Sequence, residues 1–248
     1  MRSVLITGAS GGFGHEFARQ LEPLEYRLIL HGRDKARLQL TLGALKHPDR
    51  HCCITADLAT QVGIELLIEQ TAHETALSGL INNAGFGVWG LFEQGEIALQ
   101  ADVLETDLIA PVRLTHALLP RLIKNRGFII NVSSLAGETP LPHMSTYAAA
   151  KAGLTYWSEA LRAETDIPVV TLAPGPSPTG FRDVSGMPER MGSVFRTSAT
   201  TVVTASLDTL RRGGGYCVPG LRHRLLWSLQ KIVPRRLALS IMAKHLQP

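Results

Sequence analysis

A tyrosine and a lysine four positions apart are the residues of this sequence best suited to acid–base chemistry. Tyr147 and Lys151 lie in a segment of helical character, residues 145–165, so both side chains project from one helix face, about 40° apart around the axis. An ammonium beside a phenol stabilises the phenolate, and we expect Lys151 to lower the pKa of Tyr147 from about 10 towards neutrality. Tyr147 could then serve as a general acid or base. An isolated pair of this spacing also suits an ordinary amphipathic helix.

A glycine-rich turn near the amino terminus is the second chemical feature. Residues 3–7 (SVLIT) have strand character, residues 7–14 (TGASGGFG) interrupt it, and apolar residues then resume at helical spacing. Backbone N–H groups at a strand–turn–helix junction bind phosphate, and glycine lets the backbone approach the anion. The turn also contains a Gly-x-Ser-x-Gly pattern centred on Ser10, which is typical of α/β-hydrolases. Too little chain precedes the turn to supply the second oxyanion N–H, so a hydrolase is the weaker alternative.

The elements that must position these residues alternate between strand and helix. Parallel strands need crossovers of a dozen or more residues. The alternation therefore predicts a single α/β domain over residues 1–220, with a Rossmann-type doubly wound parallel sheet of about seven strands and helices on both faces. Residues 174–191 are rich in proline and glycine and indicate a mobile loop. Strands are expected at 3–7, 27–31, 51–55, 79–82, 127–132, 167–172 and 215–218, and helices at about 34–46, 60–75, 97–124 and 145–165.

Composition indicates a globular protein from a reducing compartment. With 45% hydrophobic and 19% charged residues, the chain of 248 residues is neither collagen-like, nor a disulfide scaffold, nor disordered. Three cysteines, two of them adjacent, encode no disulfide framework. Neither a signal peptide nor an apolar run of about 18 residues is apparent. We expect a cytoplasmic protein that is neither secreted nor transmembrane.

The positive charge is concentrated at the carboxyl end. Residues 221–248 contain six basic and no acidic residues, whereas residues 1–220 contain 19 basic and 21 acidic ones. Apolar residues interleave with these charges and Pro234 divides the segment, which predicts two short amphipathic pieces packed on the same domain or on a partner subunit. Contact with an anionic membrane surface is the alternative. The slightly acidic body gives no indication of nucleic-acid binding.

Four further motifs follow the glycine turn in a fixed order. They are Asp57, residues 82–85 (NNAG), Ser134 with residues 147–151 (YAAAK), and residues 174–179 (PGPSPT). Together with the glycine turn, this set resembles the short-chain dehydrogenase/reductase family over residues 1 to about 180. The resemblance implies reversible hydride transfer between a nicotinamide cofactor and a carbonyl or secondary alcohol, within a homodimer or homotetramer. A cofactor-binding regulatory protein on the same fold is the non-enzymatic alternative, because fold does not fix function.

The same resemblance implies a role for each catalytic candidate. Tyr147 would exchange a proton with the substrate oxygen, Ser134 would hold that oxygen, and Lys151 would also hydrogen-bond the nicotinamide ribose. Asp107 stands where the family usually has an asparagine that helps to hold a proton-relaying water. A carboxylate there would favour the ammonium form of Lys151, and we expect a relay that survives in altered form. An exposed helix aspartate without a role is the alternative for Asp107.

The residues after the second strand favour NADP(H) over NAD(H). NAD-preferring members place an acidic side chain at the position of Gly32, where it binds the ribose 2′-hydroxyl and would repel a 2′-phosphate. Arg33 follows and can pair with that phosphate, although it could instead be solvated at a helix start, and the glycine turn carries no basic residue at Gly11. Besides Arg33, the expected cofactor-binding residues are Gly8, Ser10, Gly12, Phe13, Gly14, Asp57, Leu58, Asn83, Ala84, Gly85, Tyr147, Lys151, Pro174, Gly175 and Thr179.

The segments expected to contact the substrate are mostly apolar or small. They comprise residues 86–96, 138–146 and 180–200, which loosely favours a small hydrophobic carbonyl or alcohol.

A local group of histidines and cysteines resembles a zinc site only at first sight. His47 and His51 are separated by a proline, and the adjacent Cys52 and Cys53 of a strand point to opposite faces. Four ligands would not converge, so we expect no metal.

Overall fold

Seven parallel strands form the centre of the fold. The computed structural model describes residues 1–188, 196–230 and 232–246. The spatial order of the strands is β3-β2-β1-β4-β5-β6-β7, and every neighbouring pair is parallel. The predicted Rossmann-type doubly wound sheet is therefore confirmed. The strands are β1 (Ser3–Ile6), β2 (Arg27–Gly32), β3 (Cys52–Thr55), β4 (Leu77–Asn82), β5 (Phe128–Val132), β6 (Val169–Leu172) and β7 (Gly215–Cys217).

Helices cover both faces of the sheet and bury two apolar cores. One core lies beneath α1, α2 and α8, and the other beneath α3, α5 and α6. The helices are α1 (Gly12–Leu21), α2 (Lys35–Gly43), α3 (Gln61–Thr71), α4 (Ile97–Leu104), α5 (Ala110–Lys124), α6 (Ser145–Glu164), α7 (Phe181–Ser185), α8 (Ala199–Arg211), α9 (Leu221–Gln230) and α10 (Arg235–His245).

The strands β1 to β6 contribute side chains to both cores, because successive residues of a strand point to opposite faces. In β1, Val4 and Ile6 enter the first core and Leu5 enters the second, and all three are fully buried. Apolar runs without alternation, such as residues 3–6, are what a sheet covered on both faces requires. The order of the strands reverses between β1 and β4, which places a crevice at their carboxyl ends.

The predicted helix over residues 97–124 is interrupted in the structure. Between α4 and α5 lies one π-helical stretch, Glu105–Ile109, which contains Asp107. Such stretches often occur at functional sites. The sequence pattern also did not single out α8 or the short α7 inside the predicted loop, and residues 189–191 of that loop lie outside the described residues.

The carboxyl-terminal segment forms two helices, and Pro234 precedes the second of them. One face of α9 contacts the rest of the chain through two side chains described below. Within the described residues, no helix has the length and apolar character needed to cross a membrane.

Candidate active site

The glycine turn between β1 and α1 is tied to the segment that follows β4. The Asn83 side-chain amide donates hydrogen bonds to the carbonyls of Thr7 and Gly8, over 2.9 and 3.1 Å. The Thr7 hydroxyl accepts hydrogen bonds from the backbone N–H groups of Asn83 and Ala84. Gly8 has φ +64°, and a Cβ there would lie 2.8 Å from the Ala84 Cα. A glycine is therefore required where these two strand ends meet.

The loop after β6 closes against the same turn. A Cβ on Gly12 would lie 3.0 Å from the Thr179 Cβ, and a Cβ on Gly14 would lie 2.2 Å from the Gly8 carbonyl oxygen. The first helix can begin this close to the turn only because Gly14 has no side chain. The structure thus brings Thr179 beside the predicted phosphate-binding turn, next to the positive end of α1.

Two arginines lie beside the turn. The guanidinium carbon of Arg33 lies 5.5 Å from the ring centroid of Phe86, and the Arg33 side chain is exposed. The Arg37 Nη2 atom lies 2.9 Å from where a Cβ on Gly11 would be. Arg37 therefore provides a positive charge at the turn, and the sequence analysis missed it.

A local signal could have identified Arg37. Asp34 is the N-cap of α2 and accepts a hydrogen bond from the Arg37 backbone N–H over 3.1 Å. This cap fixes the start of the helix directly after β2, and so places Arg37 in its first turn, near the neighbouring β1 end. At Gly32, a Cβ would lie 3.1 Å from the Ser10 hydroxyl oxygen.

Asp57 and Leu58 differ in what they can offer a ligand. The Asp57 side chain is exposed, and its carboxylate accepts a hydrogen bond from the Ala59 N–H over 3.1 Å. The Leu58 side chain is only 2% exposed and belongs to the core beneath α3. Only the backbone of Leu58 remains for contact with a cofactor.

Lys151 is held in a buried position on α6. Its side chain is 5% exposed. The Nζ atom donates a hydrogen bond to the Val132 carbonyl over 2.9 Å, lies 3.1 Å from the Asp107 Oδ2, and lies 5.7 Å from the Tyr147 ring centroid. The Lys151 ammonium is therefore held by one hydrogen bond to the Val132 carbonyl and by its ion pair with Asp107.

Asp107 is fully buried, so the alternative of an exposed helix aspartate is wrong. Its Oδ1 accepts a hydrogen bond from the Phe86 N–H over 2.9 Å, and its Oδ2 faces Lys151. A Cβ on Gly85 would lie 2.8 Å from the Oδ2. Burial raises the pKa of Asp107, and the Lys151 ammonium opposes that rise. The site thus contains an ion pair removed from water.

The pKa of Tyr147 moves in the direction opposite to our expectation. Burial raises the pKa of Tyr147 above its ordinary value and the charge of Asp107 adds to the rise, whereas an interaction with the Ser134 side chain opposes it. The expectation of a lowered pKa is wrong, because Tyr147 is buried and lies near the Asp107 carboxylate. The structure does bring Ser134, Tyr147, Lys151 and Asp107 together.

Ser134 is positioned by a short turn that packs on α6. It precedes the 3-10 turn Leu135–Glu138, and its hydroxyl oxygen accepts a hydrogen bond from the Ala136 N–H over 3.1 Å. A Cβ on Gly137 would lie 2.7 Å from the Ala152 backbone nitrogen. The absence of a side chain at Gly137 lets the turn approach the helix that carries Tyr147.

Buried polar side chains connect the strand ends beneath the site. Asn82 donates a hydrogen bond to the Asn131 Oδ1 over 2.8 Å, and Asn131 donates one to the Ser158 hydroxyl over 2.9 Å. The Ser133 hydroxyl lies 2.9 Å from the Lys151 carbonyl oxygen. These bonds fix β4, β5 and α6 relative to one another, so Asn131 and Ser133 have structural roles beneath the site.

Aromatic and apolar side chains border Tyr147. The ring centroids of Tyr147 and Phe181 are 5.1 Å apart. A Cβ on Gly87 would lie 2.4 Å from the Met144 Cε and 3.3 Å from the Tyr147 Cγ. The three segments predicted to contact substrate therefore meet at Tyr147, although residues 189–195 of the third lie outside the described residues.

Two side chains of α9 reach the loops that flank the site, in keeping with the expected packing of the carboxyl-terminal segment on the same domain. The His223 ring packs on Gly175, where a Cβ would lie 2.6 Å from the His223 Nε2. The His223 Nδ1 lies 3.1 Å from the Thr197 hydroxyl oxygen. Trp227 Nε1 donates a hydrogen bond to the Glu138 carboxylate over 3.2 Å. The carboxyl-terminal segment thus supports both the loop after β6 and the turn after Ser134.

The histidines and cysteines that were considered for zinc have other partners. The His51 Nδ1 accepts a hydrogen bond from the Leu28 N–H over 3.1 Å, and the Cys53 thiol faces the Leu38 carbonyl. In residues 1–188, 196–230 and 232–246, no three His, Cys, Asp or Glu side chains are grouped so that they could hold a metal ion.

Comparison with known proteins identifies the family. A family model described as short chain dehydrogenase matches residues 2–187. Dehydrogenase/reductase SDR family member 7B of Danio rerio is 35% identical over 211 residues, which cover 79% of this chain and 68% of that protein. The 3-ketodihydrosphingosine reductase of Bacteroides thetaiotaomicron is 32% identical over 197 residues, covering 76% of this chain and 69% of that protein. For dehydrogenase/reductase SDR family member 7B of Bos taurus, the matched region spans only 57% of that protein.

The solved structures agree with the sequence comparison. A short-chain dehydrogenase from Sphingobium yanoikuyae in complex with NADPH has a TM-score of 0.84 at 26% identity, over 97% of this chain and 95% of that one. The family model covers most of this chain, and the arrangement of glycine turn, Ser134, Tyr147 and Lys151 lies inside the matched region. This chain therefore belongs to the short-chain dehydrogenase/reductase family and is an oxidoreductase of that family.

Proposed function

We propose that this protein transfers hydride reversibly between NADP(H) and a small hydrophobic carbonyl or secondary alcohol. The observation that carries the proposal is the buried cluster in which Tyr147 meets Ser134 and Lys151. The cluster lies next to Asp107 and Gly85, and so beside the segment that packs on the glycine turn. Family membership favours this activity over a hydrolase that uses Ser10.

The glycine turn fits a pyridine dinucleotide. Side chains at Gly8, Gly12 and Gly14 would collide with their surroundings, so the backbone there stays open to a phosphate. Thr179 lies against the turn, and Lys151 has a third N–H for a ribose hydroxyl. When bound there, the nicotinamide supplies the hydride in reduction and accepts it in oxidation.

Protein side chains supply the proton chemistry of the proposed reaction. Tyr147 gives its phenolic proton to the substrate oxygen in reduction and takes it back in oxidation. Ser134, which interacts with the Tyr147 side chain, holds that oxygen. The Lys151 ammonium lies near enough to the ring, at 5.7 Å from its centroid, to stabilise the phenolate that forms. Asp107 orients Lys151 and connects it to the proton relay.

The electrostatics of the site favour carbonyl reduction near neutral pH. Burial and Asp107 raise the pKa of Tyr147, so the phenol keeps its proton across the neutral range. The protonated phenol is the form that reduction needs, whereas alcohol oxidation needs the phenolate. Apolar neighbours such as Phe181 and Met144 suit a hydrophobic substrate.

The preference for NADP(H) rests on charge at the turn. Arg33 and Arg37 bring two guanidinium groups to the glycine turn and its neighbouring strand end, where the family's 2′-phosphate would lie, and no acidic side chain stands at Gly32. A charge-assisted contact of roughly 1.5–3 kcal/mol corresponds to about ten- to a hundredfold in affinity. Arg33→Ala and Arg37→Ala should therefore each weaken NADPH binding much more than NADH binding.

Cofactor binding measured by fluorescence or calorimetry tests this preference. Arg50→Ala is the matched control, because Arg50 is exposed and precedes β3, at the amino ends of the parallel strands, whereas the glycine turn lies at their carboxyl ends. Equal losses for NADPH and NADH in the Arg33→Ala protein would contradict the assignment. A screen of NADPH oxidation with ketones, quinones, steroids and acyl thioesters then identifies the substrate class.

A further inference from the structure

The helix α9 has two faces with different surroundings. His223 is 4% exposed and Trp227 is half-buried, and both contact the body of the protein. Residues two positions apart on a helix differ by about 200° in direction, so Leu225 points away from that docked face. Leu221, Leu225 and Leu229 are 80%, 63% and 51% exposed. At intervals of four residues they form one apolar stripe on the outer side of α9.

Exposed apolar side chains also occur in the chain after α9. Ile232 is 80% exposed, and Leu237, Leu239 and Ile241 of α10 are 53%, 42% and 45% exposed. Among the residues whose side chains the structure describes, twenty large hydrophobic side chains are exposed, and eight of these lie between residues 221 and 241. A concentration of this kind on one short segment marks a contact surface. We call the exposed apolar side chains of residues 221–241 the tail patch.

The charges carried by the segment of the tail patch all have one sign. Arg222, Arg224, Arg236 and Lys244 are exposed, and residues 221–248 contain no acidic side chain. A segment whose exposed apolar side chains are interspersed only with basic residues matches the interface of a bilayer that contains anionic lipid, which takes up the apolar stripe and attracts the charges. A twofold contact between two copies of this patch would instead place like charges opposite each other.

We propose that the tail patch docks this protein on the surface of anionic membranes. No bilayer-spanning segment is needed, since the two helices lie in the plane of the interface with the stripe towards the acyl chains. The contacts of His223 and Trp227 then hold the cleft loops on the other side of the same helix. The bound protein therefore has its candidate active site close to the membrane, where apolar molecules concentrate.

Vesicle flotation with the full chain tests the proposal. Wild-type protein should float with vesicles of phosphatidylcholine mixed with phosphatidylglycerol, and tenfold less with vesicles of phosphatidylcholine alone. Added salt should weaken the binding, because it screens the attraction between exposed charges. The double variant Leu225→Glu, Leu229→Glu should lose at least tenfold in flotation, since it places charge in the apolar stripe.

The matched control is Leu40→Glu with Val62→Glu. These side chains are 74% and 75% exposed on α2 and α3, so the control changes charge equally without touching the tail patch, and it should float like the wild type. All proteins are compared for melting temperature to exclude unfolding. Failure of the wild type to float, or equal flotation of the tail variant, overturns the proposal. The proposal is also overturned if light scattering shows a wild-type dimer that the tail variant converts to a monomer, while neither protein floats. The tail patch would then be the contact with a second copy of this chain.

Discussion

The two ends of the crevice at the carboxyl ends of β1 and β4 differ in the kinds of contact that form them. At the glycine turn, most contacts are among backbone atoms, small residues and neutral side chains such as Asn83 and Thr7, and the Arg37 guanidinium lies at the outer side beside Gly11. At the other end, Asp107 and Lys151 form an ion pair that is almost completely removed from water, beside Tyr147. The glycine-turn end is therefore defined mainly by close packing of the backbone, whereas the other end is defined by two opposite charges that are buried together. Substitutions at the two ends should therefore affect binding, stability and proton transfer differently.

The largest effect is expected from Tyr147→Phe. This change keeps the ring beside Phe181 but removes the proton donor. Because a positioned acid contributes about 10²–10⁴-fold, we expect steady-state turnover to fall by about 10³-fold while the dissociation constant for NADPH changes by less than about threefold. Tyr156→Phe is the control, because Tyr156 lies on the same helix and is 79% exposed. Retention of a tenth of the wild-type rate would remove Tyr147 from the proposed mechanism.

A pH-dependent loss of stability is expected from the glycine-turn end. His31 ends β2 beside the turn and is 1% exposed, and burial lowers its pKa to about 4 from about 6.5. Its Nε2 lies 3.2 Å from the Ala56 carbonyl, which can only accept, so the neutral ring carries its proton there. His31 therefore binds a proton more readily in the unfolded chain than in the folded one, so its contribution to the free energy of unfolding is fully present above pH 6.5. It declines by up to about 3 kcal/mol as the pH falls to 4.

Urea denaturation at several pH values measures this loss. His31→Gln keeps a donor for the Ala56 carbonyl but does not titrate, so the free energy of unfolding should depend less on pH between 6.5 and 4 than in the wild type. Other groups, such as Glu16 with a pKa lowered to about 2, contribute equally to both proteins. Parallel curves for the two proteins would show that His31 is not the source.

The sequence predicts the glycine-turn end better than the ion-pair end. The parallel sheet follows from the alternation of strand-like and helix-like segments, and the turn follows from its glycines, both of which are visible in the local sequence. The pKa of Tyr147 depends on how Asp107 and Lys151 lie in three dimensions across forty positions of chain, and the spacing of Tyr147 and Lys151 alone gave the wrong direction. Arg37 was missed because its role depends on contact with Gly11 of another element.

Some expectations stay predictions. Two small residues of α6 have partners within the same chain, since Gly153 lies against the Leu108 side chain and the Ala152 backbone lies against Gly137. Their size is thus explained by packing inside the protein, and the homodimer or homotetramer still rests on the resemblance to the family. The cytoplasmic location likewise rests on composition alone.

The smallest effect, and the sharpest test of the ion-pair end, is expected from Asp107→Asn. Asparagine is the usual residue of the family at this position and can accept the Phe86 hydrogen bond. Removing the negative charge removes one cause of the raised pKa of Tyr147 and leaves the charge of Lys151 unbalanced, so the pKa of Tyr147 falls. In alcohol oxidation, where the phenolate is needed, the rising limb of the pH–rate profile should therefore move to lower pH.

Steady-state turnover should change by less than tenfold in the Asp107→Asn protein. If the proton relay already works with the native carboxylate, replacing it by an amide does not speed the reaction much. Pre-steady-state and steady-state rates across pH, with the NADPH dissociation constant measured in parallel, separate the two effects. A rise in turnover of tenfold or more at unchanged cofactor affinity would show that the native carboxylate is a handicap. In that case the buried pair of Asp107 and Lys151 restrains the phenol, and the relay through Asp107 is wrong.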